Sequence, residues 1–300
     1  IVALGVVFSN LLTYIFHLVA GRVMGPEDYG EFGALMALFF IFTLPSTAIN
    51  FGISKFSSIY NVEKSFWKIR LLKSVIEKKA LLLSLSIFII LFIFTDSISK
   101  FLNLKTSYSI FIVGLCSLPS LLLTISRGIL QGIKKYTIFS WNFIIESLAR
   151  LIAFWLLFSI GYKAAGAVMS YCIAYLVAYL LIIPYIRDIR CEIPSNQKVE
   201  MKLFYKIVSL VLLINITIEL ILNVPSILIK HYYSNEFTGY WTAALNIGKI
   251  SLFMSASVSL VMIPELSSLK DNNVKLSIFK KSLLIVFIVT LIFALMLFLW

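Results

Sequence analysis

The feature that most limits what this chain can become is the arrangement of its apolar residues, which come in long blocks rather than stripes. A helix needs roughly 20 mainly apolar residues to cross a bilayer core. Such blocks recur from one end of the sequence to the other. In a bilayer every backbone polar group must be satisfied internally, so blocks of this length read as membrane-spanning helices. The sequence predicts an all-α polytopic protein with about nine transmembrane helices, over 1–20, 32–52, 80–95, 107–126, 138–160, 165–186, 207–229, 239–264 and 283–300. The third is short, and Leu71, Leu72, Val75 and Ile76 extend it. Between the blocks there is no polar stretch long enough for a separate soluble domain. A chain of 300 residues that is 60% hydrophobic leaves little else to build from.

Charge tests that topology. The net charge is +12, from 26 Lys and Arg against 14 Asp and Glu. In a soluble protein this excess would point to nucleic acid. In a polytopic protein it points to basic cytoplasmic loops, so no nucleic-acid partner is expected. Of the basic residues, 19 fall in 53–79, 127–137, 187–206 and 265–282, and 5 fall in the alternate loops as Arg22, Lys100, Lys105, Lys163 and Lys230. Arg150 and Lys249 lie inside spans. The strict alternation puts the N-terminus in the cytoplasm, in a cell membrane. The alternate loops are short and hold no room for an outer catalytic domain. The cysteines Cys116, Cys172 and Cys191 are scattered, without metal spacing. No metal or other cofactor is expected.

An internal repeat sits on the outer side. Glu27, Gly30, Phe32 and Ala34 match Glu236, Gly239, Trp241 and Ala243 at an offset of 209 residues. The offset spans six predicted helices, an even number, so both copies keep one orientation. That is a parallel repeat about an axis along the membrane normal, a plan known among transporters. The glycine is expected to let the chain turn tightly into the next helix. If helix 7 repeats helix 1, the domains are a first six-helix lobe over 1–186, a cytoplasmic inter-lobe loop over 187–206, and a partial second lobe over 207–300. The chain opens and closes inside apolar segments, so it is expected to be part of a longer protein.

The stretch Gly21-Arg-Val-Met-Gly-Pro-Glu-Asp-Tyr-Gly30 resembles the first-loop signature of the oligosaccharide flippase family, the Wzx-type polysaccharide transporters of the MATE-like flippase superfamily. Arg127-Gly-Ile-Leu-Gln-Gly132 with Glu146 and Arg150 is similar to that family too. So are Ile229-Lys-His231 followed by Gly239-Tyr-Trp and Lys249, and Pro264-Glu265-Leu-Ser. The resemblance runs along most of the chain in order. It implies a MATE-like two-lobe bundle of 12–14 helices around a partly charged cavity. It also implies export of a polyprenyl-linked oligosaccharide from the inner to the outer leaflet, beside other polysaccharide-assembly proteins. Many relatives carry an Asp near the outer end of helix 7, where this chain has Pro225.

Charged groups inside a span cost roughly 2.5–3.5 kcal/mol each on insertion scales, so they persist where paired or wet. Glu146 and Arg150, with Asn142 a turn earlier, form a polar stripe on the fifth helix in the favourable Glu-before-Arg order. The stripe reads either as a self-neutralised packing pair or as a cavity wall that binds pyrophosphate or sugar hydroxyls. Asn215, Glu219 and Asn223 repeat the stripe on the seventh helix. Lys249 is expected at matching depth on the eighth, as an ion-pair partner of Glu219 or part of a shared substrate site. Arg127, expected to end the fourth helix at the cytoplasmic face, is either a topology anchor or a fork for two phosphate oxygens. Arg22 is the corresponding outer-face candidate, and Asn10 and His17 read as polar residues satisfied between helices. Proline removes a backbone bond and bends a helix, so Pro45 and Pro225 read either as hinge candidates or as static kinks.

Three rivals remain open on sequence. A multidrug or cation antiporter of the same fold typically uses an acidic residue in helix 1, and none is present there. A membrane enzyme of polysaccharide synthesis needs a nucleophile or metal cluster, and no catalytic residue is assigned because no such motif occurs. A scaffold has little reason to retain buried charges.

Overall fold

The computed structural model describes residues 2–187, 201–250 and 272–299. The described residues are helical throughout, apart from short connections. In chain order the helices are α1 (Val2–Phe42), α2 (Pro45–Val62), α3 (Phe66–Ile93), α4 (Thr95–Phe101), α5 (Tyr108–Gly132), α6 (Tyr136–Ser159), α7 (Ala164–Arg187), α8 (Met201–Tyr232), α9 (235–250) and α10 (Asn272–Leu299). Six of them are individually long and apolar enough to cross a membrane, or seven if the bent pair α3–α4 counts as one span.

The differences from the nine expected spans are local. The loop expected over 21–31 is a kink inside α1. The backbone breaks helical geometry at Gly25 (φ 74°, ψ 170°) and resumes at Pro26, dividing α1 into arms over 2–24 and 26–42. Only glycine takes that backbone conformation without a steric penalty. The second expected span is broken again at Thr43–Leu44, and α2 restarts with Pro45 in its first turn, where the missing N–H costs nothing. The third ends at Phe94, and α4 leaves it at 68°. The expected inter-lobe loop 187–206 lies largely outside the described residues, and its last part, from Met201, already belongs to α8. Pro264, Glu265 and Cys191 lie outside the described residues as well.

The chain separates into two compact units, Ile1–Thr242 and Ala243–Trp300. In the first, α5 and α7 lie at the centre. The α5 helix packs on α2, α3 and α7, α6 packs on α7 and α1, and α8 runs beside α1 and α2. Lipid is as apolar as leucine, so this packing rests on close contact rather than on water exclusion. One aromatic group holds α1, α6 and α7 together. Phe16 meets Phe154, Tyr171 and Phe32 edge-on, at ring separations of 5.3, 5.5 and 5.9 Å. In α5, a methyl group on Gly128 would stand 3.0 Å from the Asn50 carbonyl oxygen of α2, the small-residue approach expected between membrane helices. In the second unit α10 exposes Leu283, Phe287 and Leu291.

The expected outer loops gather at one end of the first unit, here called the kink end. The α4–α5 and α6–α7 connections both reach the α1 kink, through Lys105 and Lys163 to Asp28. The end of α8 reaches α4 there through His231 and Phe101.

Candidate functional site

Two polar assemblies lie inside the first unit, and a third lies at its kink end. The first is built on α5 and α6. Arg127 does not end its helix as the sequence reading expects. The α5 helix runs on to Gly132, so Arg127 is an interior residue, 8% exposed, and its side chain turns toward α6. Its Nε donates to Asn142 Oδ1 at 2.8 Å and its Nη2 to the Asn142 carbonyl at 3.2 Å. Its Nη1 lies 2.8 Å from Glu146 Oε2. The other oxygen of Glu146 takes Nη2 of Arg150, one turn later on α6. Glu146 thus stands between two guanidiniums, fully desolvated with them. The Asn142 amide is spent too, donating to the Ala178 carbonyl of α7 at 2.8 Å.

Aromatic rings and α1 complete the enclosure. The Arg127 guanidinium lies 3.7 Å from the Phe143 ring centre and that of Arg150 lies 4.1 Å from the Tyr171 ring centre. Such desolvated contacts stabilise a cation by about 2 kcal/mol. Arg150 Nη1 donates to Thr13 Oγ1 of α1 at 3.2 Å, and a Ser9–Ser147 hydroxyl pair at 2.7 Å joins the same two helices. Among the described residues, Arg150 Nε meets no acceptor. The group therefore carries one carboxylate against two guanidiniums, an unbalanced positive charge held by α1, α5, α6 and α7.

The second assembly lies on α8. Asn215 Nδ2 donates to Thr47 Oγ1 of α2 at 3.0 Å, two residues beyond Pro45. Glu219 accepts from Asn223 Nδ2 at 2.8 Å, and Asn223 is buried. Pro225 follows within the continuous α8 helix, whereas Pro45 stands at a helix break. The sequence-picked residues thus fall into two groups: Arg127, Asn142, Glu146 and Arg150 are brought together, while Asn215, Glu219 and Asn223 line a separate face. Lys249 belongs to the second unit. Arg22 is exposed, just before the kink.

The kink-end assembly was not read from sequence. Asp28 is buried between Lys105 at 2.7 Å and Lys163 at 3.1 Å, and Lys105 also reaches Glu27 at 3.0 Å. The Lys105 backbone N–H donates to buried Glu31 at 3.2 Å. The hydrogen bond to Asp28 holds the Lys105 ammonium above its ordinary value of 10.5. Lys230 of α8 is fully buried and bonded to Asn235 Oδ1. The signal available was the acidic run Glu27, Asp28 and Glu31 beside a glycine. Tyr171 and Tyr175, one turn apart on an apolar helix, gave no signal that separates them from lipid-facing aromatics. His17 is satisfied between the α1 arms, with Nδ1 3.1 Å from Tyr29 Oη.

The kink end also shows what the repeat does. A methyl group on Gly30 would stand 2.6 Å from Gly239 N and against the Asn235 carbonyl oxygen. One on Gly239 would press on the Pro26 carbonyl. One on Gly33 would stand 2.9 Å from Thr242 Cβ. Pro26 and Asn235, Gly30 and Gly239, and Gly33 and Thr242 are all related by the same 209-residue offset. Reciprocal contact of equivalent residues marks a two-fold axis, and here the axis is internal to one chain. Gly30 therefore serves close approach in mid-helix, not the turn expected of it, which Gly25 makes.

Known proteins agree with this architecture. An inward-facing multidrug resistance MATE family transporter of the MOP superfamily superposes with a TM-score of 0.67 at 14% identity, over 82% of this chain and 61% of that one. A MOP superfamily transporter from Pyrococcus furiosus, described for the reverse polarity of its binding pocket, gives 0.65 at 13% identity, over 99% of this chain and 69% of that one. At such identities the likeness shows the fold alone, a MATE-like helix bundle. An uncharacterized membrane protein of Methanocaldococcus jannaschii is 30% identical over 176 residues, 57% of this chain and 40% of that protein. The chain thus spans less than half the length of that relative. The sequence profile of the polysaccharide biosynthesis protein family matches residues 1–270, nine-tenths of the chain, and on that match the chain belongs to this family.

Proposed function

We propose that the protein moves an anionic lipid-linked oligosaccharide from the inner to the outer leaflet of a cell membrane, with its N-terminus in the cytoplasm and the kink end outside. The observation that carries this reading is the unbalanced charge of the Arg127–Glu146–Arg150 group. A packing device needs only neutrality, and one arginine would neutralise Glu146. The second guanidinium, with Nε of Arg150 unmatched, is suited to a pyrophosphate oxygen, since Arg forks onto oxyanions. In the arrangement seen, Ser9 and Thr13 of α1 cover the group. Substrate access therefore requires the first arm of α1 to shift, which the Gly25 break permits. A drug or cation antiporter would call for a carboxylate on that arm, and residues 2–24 contain none. Alternating access by rocking of repeated halves supplies the motion.

The test is deletion of the gene followed by assay of the two leaflets for lipid-linked oligosaccharide. Accumulation on the inner leaflet, reversed by the wild-type gene and not by Arg150→Gln at equal membrane abundance, is the expected result. If no such species accumulates, the substrate reading fails.

A further inference from the structure

The kink end holds a seam that the proposed substrate site does not use. On one side are Pro26, Gly30 and Gly33 on the second arm of α1. On the other are Asn235, Gly239 and Thr242 at the start of α9. The backbones interlock so closely that neither glycine has room for a methyl group, and the atoms in the way are backbone atoms that no rotamer change can move. A second contact closes the periphery. The His231 ring at the end of α8 stacks on the Phe101 ring at the end of α4, with centroids 4.0 Å apart and planes 7° apart. His231 Nδ1 lies 2.6 Å from the Phe101 carbonyl, and Asn103 Nδ2 donates to the His231 carbonyl at 3.3 Å. The bend at Phe94 is what carries Phe101 to this place.

The ionic groups nearby do a different job. Lys105 and Lys163 tie Glu27 and Asp28 to the α4–α5 and α6–α7 connections, all within α1–α7. They fix the second arm of α1 to its own half. Lys230 and Asn235 likewise fix the α8–α9 turn to itself. Each side of the seam is thus internally braced, while the contacts across it, among the described residues, are van der Waals packing, one ring stack, two hydrogen bonds and the attraction of buried Lys230 for Glu31. A joint between two braced bodies with few polar contacts across it separates as a unit.

We propose that this seam is the outer gate of the transporter: the Gly30–Gly239 interlock on the internal two-fold axis is its closure, and the Phe101–His231 stack on α4 is its peripheral clasp. This rests on the transporter reading and its orientation, but not on the substrate. The gate shuts because equivalent glycines let two backbones touch on the axis. It opens when the braced halves rock apart at this end.

The test is a distance measurement that needs no substrate. In the full chain with Cys116, Cys172 and Cys191 replaced, spin labels go on Tyr162→Cys and Tyr232→Cys, two exposed positions on opposite sides of the seam. In lipid nanodiscs, Gly30→Ala and Gly239→Ala are each expected to shift the population at least tenfold toward the longer distance, and Phe101→Ala less. Gly33→Cys with Thr242→Cys, whose β-carbons are close enough to bridge, should leave only the short distance once oxidised. Folded glycine variants with an unchanged distribution would overturn the proposal. So would a bridged pair that keeps its long-distance population. If the distances respond as expected while no oligosaccharide accumulates in the deletion strain, the gate stands and the substrate reading falls.

Discussion

Gly30 and Gly239 meet across an internal two-fold axis, each at the place in its helix that the other occupies 209 residues away. The contact turns a repeat of a few matched residues into a geometric relation. Residues near an axis touch their own equivalents, so selection on one copy is felt by the other.

Gly33 and Thr242 obey the same relation, with glycine on one side and threonine on the other. Exchanging them should therefore preserve the fit. Gly33→Thr alone overfills the contact and is expected to cost about 1–3 kcal/mol. Combined with Thr242→Gly, most of that loss should return, as a coupling of about 1–3 kcal/mol between contacting residues. Thermal unfolding of the two single variants and the double variant in one detergent measures it. Losses that simply add would show that the two positions do not share a contact.

The proposed orientation has a direct check. Lys134 lies in the α5–α6 turn, and Lys163 lies in the α6–α7 connection; both are exposed. In intact cells a membrane-impermeant maleimide should label Lys163→Cys at once, and Lys134→Cys only after permeabilisation. The reverse pattern would invert the topology and make the kink end cytoplasmic, against the basic-loop rule.

Lys105 predicts a pH dependence. Its ammonium is held above its ordinary value of 10.5 by the bond to Asp28. A raised folded value stabilises fully below the unfolded value and loses that contribution as pH rises through the folded one. The contribution of this group to the unfolding temperature is therefore expected to be fully present and constant between about pH 6 and 9, and to be lost in strong alkali. Asp28→Asn should remove that alkaline fall. If the variant and the wild type decline in parallel above pH 10.5, Lys105 is not the group responsible.

The membrane fold was legible because it is written in one dimension. Block length and the placement of lysines need no knowledge of contacts. Local pairs were legible for the same reason: Glu146 and Arg150 are one turn apart on a single helix. Arg127 was misplaced because its helix continues for another turn past the arginine, through Gly128, Ile129, Leu130, Gln131 and Gly132. That turn moves the guanidinium from an interface into a packed interior. Gly30 was misread because a glycine that permits a turn and one that permits close approach look alike in sequence. The distinction depends on a partner 209 residues away. Tyr171 was invisible because an aromatic ring facing lipid and one facing a buried cation occupy the same kind of apolar helix.

Glu146 is the residue whose loss should reveal most about the buried group. It accepts both Arg127 and Arg150, and all three are nearly fully buried. Glu146→Gln keeps the shape and removes the charge that offsets two guanidiniums. Breaking a buried pair in this way costs about 3–5 kcal/mol, because the cations left behind are uncompensated. Arg127→Met should cost less, because Glu146 keeps Arg150 and the Met side chain fills much of the space. Adding Arg127→Met to Glu146→Gln should then recover stability, by relieving one of the two stranded charges. Unfolding of the three variants in a single detergent reads this order. Transport separates structure from function. Arg127→Met leaves a neutral Glu146–Arg150 pair, so a purely structural group would still transport at the wild-type rate once expression is matched. A group that uses its surplus charge on an anionic substrate would lose transport while staying folded. The second outcome is the one expected. Full transport by Arg127→Met would assign the group to packing alone.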